Sequence, residues 1–275
     1  MKRISWDDLP DELKTAIEQR TGRILDASTA TAGQNSPVAA TVTTDQGKTF
    51  VKGLPRSESR SSSQGREIAV APLVREISPH LRWHFEEAGW IVLGYQHVEG
   101  RHADYRPGSN DPDALLPLIT ALGEIEAPPG FGLFKLAEDR WKNYTADPEE
   151  LKIFRGTTLQ HTDWLPHNVL IGSDRPYLID WAWPTFGAPW MDPAYFLIRL
   201  MASGHSAEDA ERFAAQVPAF AKADQAHLAV FARVNVRMWD EIETQSEGHI
   251  GSWMREVVAA SRDWAKYRGV PVEPR

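Results

Sequence analysis

His161-Thr162-Asp163-Trp164-Leu165-Pro166-His167-Asn168-Val169-Leu170-Ile171, followed by Tyr177-Leu178-Ile179-Asp180-Trp181, is the stretch on which the reading of this chain turns. It sets a histidine, a carboxylate and an amide in one polar loop, then an apolar triplet, a turn, a second apolar triplet and a second carboxylate. Gly172-Ser173-Asp174-Arg175-Pro176 suits a turn, so Val169–Ile171 and Tyr177–Ile179 are expected to pair as a hairpin. Asp180 ends the second strand of that hairpin, which brings its side chain out beside the loop that carries Asp163 and Asn168.

The loop matches the H-x-D-x-x-x-x-N spacing of kinase catalytic loops. Phosphoryl transfer needs a carboxylate near the attacking hydroxyl, and Asp163 stands where it would orient that hydroxyl and accept its proton. Magnesium prefers hard oxygen ligands and keeps several waters, so the Asn168 amide oxygen and the Asp180 carboxylate, with nucleotide phosphates, make a sufficient shell. The same residues resemble the aminoglycoside phosphotransferase family, whose loop H-x-D-x-x-P-x-N-[VI]-[LI] precedes [VIL]-I-D-[WFY] and then a Gly-Asp-Pro segment. Here that last segment reads Gly187-Ala188-Pro189-Trp190-Met191-Asp192-Pro193-Ala194-Tyr195.

The resemblance implies an α+β, two-lobed, protein-kinase-like fold. It implies a small antiparallel-sheet N-terminal lobe over residues 1–98, a hinge at about 95–99, and a larger, mostly helical lobe over 99–275. ATP with magnesium is then expected in the cleft between them. It also implies roles earlier in the chain. Lys52 looks like the strand lysine that reaches the α and β phosphates, with Glu67 on the next helix as its ion-pair partner. Ala32-Gly33-Gln34-Asn35-Ser36-Pro37 would cover the phosphates, with backbone amides and the Ser36 hydroxyl facing them. Tyr95-Gln96-His97-Val98-Glu99-Gly100 resembles the hinge, where the Gln96 carbonyl and the Val98 amide would meet the adenine edge. Two positions depart from the family: Ala188 replaces the acid after glycine, with Asp192 further on, and Phe196 stands where an Asp precedes Leu. Asp192 is expected to brace the catalytic loop through backbone hydrogen bonds.

Working outward, residues 23–54 are β-branched, with Val38–Thr44 and Thr49–Val51 flanking a break at Asp45-Gln46-Gly47 that predicts a hairpin. Pro10-Asp11-Glu12-Leu13 opens a short amphipathic helix with acids in its first turn. Residues 55–65 are serine-rich and read as a loop. Residues 67–74 read as a helix, and Leu81–Phe85 and Trp90–Tyr95 as strands. Beyond Gly100, helices are predicted over Asp113–Ile125, Ser206–Phe220, His227–Glu243 and Ser252–Tyr267, the third with a stripe of His227, Phe231, Val234, Met238 and Ile242.

Composition sets the outer bounds. At 275 residues with 42% hydrophobic and 25% charged, the chain is globular in kind, and no apolar run approaches the roughly 20 residues of a membrane span. The absence of cysteine excludes disulfides and thiolate metal sites. With acids in the opening residues where a signal peptide is apolar, a cytoplasmic home is expected. The net charge of −8 falls in the later part, because residues 1–98 balance 12 basic against 12 acidic side chains. That distribution argues against a nucleic-acid footprint and for a cationic small molecule as the hydroxyl acceptor. The resemblance suggests an antibiotic acceptor of aminoglycoside, basic peptide or nucleoside type, and also permits a sugar or an amino alcohol.

Eleven tryptophans include Trp164, Trp181, Trp183 and Trp190 around the proposed site. Large core members is the ordinary reading, with Trp183 and Trp190 singled out as acceptor-stacking faces. Asp240, with Glu241 and Glu243 on a late helix, is either an amine-facing group or part of a solvated face. Two rivals stay open: a kinase-fold binding protein without turnover, and a metal-dependent hydrolase using His161, His167 or His205 with Asp163 and Asp180.

Overall fold

The computed structural model describes residues 3–31, 36–59, 61–126, 128, 132–246 and 251–271. Its elements begin with α1 (Asp11–Thr21), β1 (Ile24–Thr29), β2 (Val38–Thr44), β3 (Gly47–Pro55), α2 (Ser61–Val70), β4 (Leu81–Glu87), β5 (Trp90–Gln96) and β6 (Gly100–His102). Then come α3 (Asp111–Leu122), β7 (Lys135–Leu136), α4 (Ala137–Trp141), α5 (Pro148–Leu151), β8 (Thr158–Gln160), β9 (Val169–Gly172) and β10 (Pro176–Leu178). The chain continues through β11 (Thr185–Gly187), α6 (Met191–Ala202), α7 (Ala207–Ala214), α8 (Pro218–Ala221), α9 (Gln225–Gln245) and α10 (Ser252–Tyr267). These elements form two compact units. One is the chain through His102 together with His167–Ala182, and the other is Ala103–Pro166 together with the chain from Trp183 onward.

The first unit is built on a five-stranded antiparallel sheet in the order β1-β2-β3-β5-β4. The hairpin expected at Asp45-Gln46-Gly47 forms: Thr44 pairs with Gly47, and Gly47 takes a φ of 119° that a side chain would resist. Strand alternation divides β2 between two faces. Val38, Ala40 and Val42 turn to a core in which Trp6, Leu9, Leu13 and Ile17 cover the sheet together with Val51, Phe85 and Val92. Ala39 and Thr41 turn to the opposite face, where Phe50 and Lys52 of β3 also point. Each large aliphatic side chain buried in that core contributes about 1.5–3 kcal/mol. The segment 167–182 adds a small sheet to this unit in the order β10-β9-β6, with Val169 opposite Leu178 as the hairpin reading requires.

Residues 55–65 differ from expectation, because α2 starts at Ser61 within the serine run. Burial of Gln64, Glu67 and Val70 along one face outweighs the weak helix propensity of serine.

The second unit is mostly helical, with a three-stranded sheet in the order β7-β11-β8. Its centre is α6, in which every residue from Met191 to Leu200 is buried. This helix is not expected from the sequence, where the segment from Gly187 to Tyr195 reads only as a family motif. Helix α10 packs against both α6 and α9. In α9 the buried face is Leu228, Phe231, Asn235 and Trp239, shifted from the expected stripe, of which Phe231 and Val234 are buried. Asn235 turns inward because its amide nitrogen donates to Ser261 Oγ at 2.9 Å. Among the described residues no helix is long and apolar enough to cross a membrane.

Candidate active site

In the first unit a cavity of about 280 Å³ opens on the Ala39–Lys52 face of the sheet. Lys52 Nζ donates to Glu67 Oε1 at 2.7 Å and to Asp180 Oδ1 at 2.8 Å. The lysine, the glutamate and the aspartate side chains are 12%, 3% and 21% exposed, so all three charges sit largely out of water. Burial by itself pushes the Lys52 ammonium down, but the Asp180 and Glu67 carboxylates outweigh it and hold the group above its ordinary range. Burial pushes Glu67 up, against the pull of Lys52, and Tyr95 Oη donates to Glu67 Oε2 at 3.0 Å. The tyrosine is a member of this cluster that the sequence analysis missed. It directly precedes Gln96 in sequence, but only the β3–β5 register, with Phe50 opposite Tyr95, brings it to Glu67.

Asn168 lies in the same cavity wall and is buried, at the end of the short 3-10 turn Pro166–Asn168. Its carbonyl accepts from the Ile179 amide at 2.8 Å, which ties the Asn168 end of the loop to the Asp180 end of the hairpin. Asp180 itself adopts a φ of 65°, a left-handed conformation that non-glycine residues take at a cost of about 1–3 kcal/mol. Gln96, ending β5, and Val98 both line the cavity, and the Gln96 amide donates to His80 O at 2.8 Å. Ser36 lines it too, 5% exposed, with a hydroxyl that has no hydrogen-bond partner. The rest of the expected phosphate loop, Ala32–Asn35, lies outside the described residues. Seven of the predicted residues (Ser36, Lys52, Glu67, Gln96, Val98, Asn168 and Asp180) therefore line one cavity. His102 and His167 join them there.

A magnesium ion needs few protein ligands when phosphates and waters fill its octahedron. The carboxylate of Asp180 and the amide of Asn168 fit that demand, both being hard oxygen donors on one cavity wall. Among the described residues no three His, Asp or Glu side chains gather as a cluster that would hold a metal without such help.

Asp163 belongs to the second unit. Its carboxylate is 34% exposed and lies 3.5 Å from the Arg199 guanidinium of α6, which is itself buried. The backbone before it is held hard: the His161 and Thr162 amides donate to the two Asp192 oxygens at 2.6 and 2.8 Å. Asp192 thus braces the loop as the family resemblance implies, even with its acid four positions after Ala188. Burial pushes the Asp192 carboxyl up, and the charge of a protonated His161 and these amide bonds oppose that shift. Thr162 has a φ of 68°, and Arg140 Nη1 pins its hydroxyl at 2.7 Å. Among the described residues only Ala88, Thr162 and Asp180 are non-glycine positions at positive φ, so two of the three adjoin or carry proposed chemistry. Arg199 and Arg140 carried no sequence signal, because each reaches the loop from a distant element.

Three further expectations part company. Trp183 is 46% exposed, with Lys135 Nζ 5.3 Å from its ring centre. Trp190 is 5% exposed and packs against Phe154 and Phe231 at 6.1 and 5.6 Å between ring centres. It is therefore a core residue, because an indole in that aromatic cluster gains more by burial than by facing an acceptor. Asp240 is paired with Arg262 at 2.7 Å, and Glu243 meets the same guanidinium at 2.9 Å. Both carboxylates thus share one guanidinium within the helix pair α9–α10, which offsets part of their charge.

Residues 125–232 match the family model described as the phosphotransferase enzyme family. Among solved structures, the choline kinase LicA of Streptococcus pneumoniae aligns with a TM-score of 0.65 at 14% identity, over 94% of this chain and 100% of that one. A structure of a putative aminoglycoside phosphotransferase from Ralstonia eutropha aligns at 0.60 with 13% identity, over 94% and 98% of the two chains. A thermostable mutant of the aminoglycoside phosphotransferase APH(4)-Ia, solved with AMP-PNP and hygromycin B, gives 0.59 at 14% identity, over 92% and 99%. No curated protein matches in sequence. Identities this low speak for the kinase-like fold alone, and the family match covers the segment holding Asp163, Asn168 and Asp180. Through that segment the chain resembles the phosphotransferase enzyme family, and its fold is kinase-like.

Proposed function

We propose that the protein transfers the terminal phosphate of ATP, with magnesium, to a hydroxyl of a cationic small molecule such as an aminoglycoside-type antibiotic or an amino alcohol. The observation that carries this reading is the buried Lys52–Glu67–Asp180 cluster, set beside Asn168 in one cavity. A lysine fixed by two carboxylates is preorganised to meet phosphate oxygens with little reorganisation. The cavity wall also includes apolar groups, among them Ala39, Phe50, Leu170, Leu178 and Ile179, which suit a planar base. AMP in LicA and AMP-PNP in APH(4)-Ia are nucleotides bound by proteins of similar fold, and choline and hygromycin B suggest the range of acceptors.

In this reading Asp163 orients the acceptor hydroxyl and takes its proton as the oxygen attacks the terminal phosphorus. A P–O bond to the acceptor forms while the bond to the bridging oxygen of ADP breaks. Lys52 holds the α and β phosphates, the Gln96 carbonyl and Val98 amide meet the adenine edge, and Asn168 and Asp180 hold magnesium. Bound there, the ion would neutralise charge on the phosphates. The domain division at the Gln96–Val98 hinge and a cytoplasmic location belong to the same proposal.

The test is ADP release with ATP and magnesium across a panel of aminoglycosides, peptide and nucleoside antibiotics, choline and other amino alcohols. Acceptor-dependent ADP is expected from the wild type. In Asp163→Ala it should fall by about 10²–10⁴-fold, with ATP affinity within threefold. Full turnover in Asp163→Ala would remove Asp163 from this role.

A further inference from the structure

Asp180 and Glu67 between them already offset the charge of Lys52 twice over, yet a nucleoside triphosphate brings three to four negative charges to the cavity. Among the described residues, the other permanent cation on the cavity wall is Arg3. Its Nη1 donates to the Ser36 carbonyl at 2.8 Å, and the next residue, Ile4, donates its amide to Pro37 O at 2.9 Å. Segment 3–4 is thereby laid along the start of β2, and the guanidinium is carried to the cavity with it.

Sheet register says which end of the cavity this is. Thr49 faces Gln96 and Phe50 faces Tyr95, so the hinge residues mark one end of β3. Thr41 is opposite Phe50 and Ala39 is opposite Lys52, so travelling back along β2 leads from the hinge past the lysine. Ser36 lies three residues beyond Ala39, about 10 Å further at the rise of an extended chain. A nucleotide with its base at Gln96–Val98 and its inner phosphates at Lys52 points its terminal phosphate toward Ser36 and Arg3. Ser36 adds an independent sign of a ligand there: a 95% buried hydroxyl in the cavity wall with no partner, where buried hydroxyls are nearly always bonded. Burial also lowers the Arg3 guanidinium from its ordinary value, so an anion beside it would be met in a partly desolvated setting.

We propose that Arg3, with the Ser36 hydroxyl, forms a terminal-phosphate subsite that supplements Lys52. This rests on the nucleotide reading of the cavity. Arginine suits the role, since its planar fork matches phosphate oxygens in a way an ammonium does not.

Calorimetric affinities of the full chain for AMP, ADP and ATP, with magnesium, test it. Arg3→Gln keeps an amide donor for the Ser36 carbonyl and removes the charge. It should weaken ATP by about tenfold while AMP changes less than twofold. Arg3→Lys should recover part of the loss, and Ser36→Ala, which leaves the backbone carbonyl in place, should weaken ATP by about threefold with AMP unchanged. Equal loss for AMP and ATP in Arg3→Gln would mean a structural pin, and no loss for either would mean no role; both overturn the subsite. If the wild type binds none of the three nucleotides, the nucleotide reading falls and the subsite with it, whereas wild-type ATP binding with Arg3→Gln unchanged sinks the subsite alone.

Discussion

Lys52 and Asp163 hold charge in opposite ways. The lysine is 12% exposed and clamped at 2.7 and 2.8 Å by two carboxylates of its own unit. The aspartate is 34% exposed and lies 3.5 Å from the Arg199 guanidinium. The backbone just before Asp163 is held through Asp192 and Arg140. A group that binds fixed charge gains from a fixed geometry, whereas a group that must take a proton and meet a variable acceptor needs an open face. Under the proposed function, the contrast suits one unit to the nucleotide and the other to the acceptor.

The strongest way to break this comparison is Lys52→Met. It leaves Glu67 and Asp180 facing each other in a buried site, so unfolding stability should drop by about 3–5 kcal/mol in denaturant melts, with ATP binding lost. The double change Lys52→Met with Glu67→Leu should recover part of that stability and none of the binding, since it removes the more deeply buried of the two carboxylates left without a cation. A single mutant as stable as wild type would mean that the cluster is not the buried ion pair described.

Arg199 sharpens the other side. Arg199→Lys should keep a cation near Asp163 but lose the planar fork, lowering kcat by about tenfold with the ATP KM within twofold. A change confined to KM would show that Arg199 acts on binding and not on the carboxylate. Thermal unfolding in parallel separates either result from a packing effect, because Arg199 also lies 5.4 Å from the Trp239 ring.

The smallest effect is expected at His97, in the cavity wall beside the hinge. Burial lowers its pKa, Lys48 adding to the shift and Glu99 opposing it. The folded state therefore binds this proton less readily than the unfolded chain, and stability from this source is present above about pH 6.5 and lost as the pH falls through the folded value. The urea midpoint of the wild type should decline between about pH 7 and pH 5 more steeply than that of His97→Gln. Parallel slopes would remove His97 as a contributor.

Legibility in the sequence followed the range of the interaction. The Asp45-Gln46-Gly47 hairpin, the 169–178 hairpin and helix α10, which spans Ser252–Tyr267, were readable because their determinants lie within a few residues of one another. Helix α6 was not, since its burial on every side is set by the helices and loops packed around it and not by neighbours in the chain. Serines at 61–63 suggested a loop, because nothing local reports that Gln64 and Glu67 will be buried. Asp163, Asn168 and Asp180 were singled out by spacing, while Tyr95, Arg199, Arg140 and Arg3 carried no such signal.

The sequence by itself determined the loop, the hairpin that presents Asp180, the order Lys52–Glu67–Asp163–Asn168–Asp180 and the family to which they point. Tertiary structure alone decided that Lys52 meets both carboxylates, that Trp190 is core, that Asp240 pairs with Arg262, and that Arg3 reaches the cavity. The physical reason is the same in each case. A motif records which groups are near in the chain, but the ionic partner of a buried charge is chosen by strand register and helix packing, which join residues as far apart as 52 and 180.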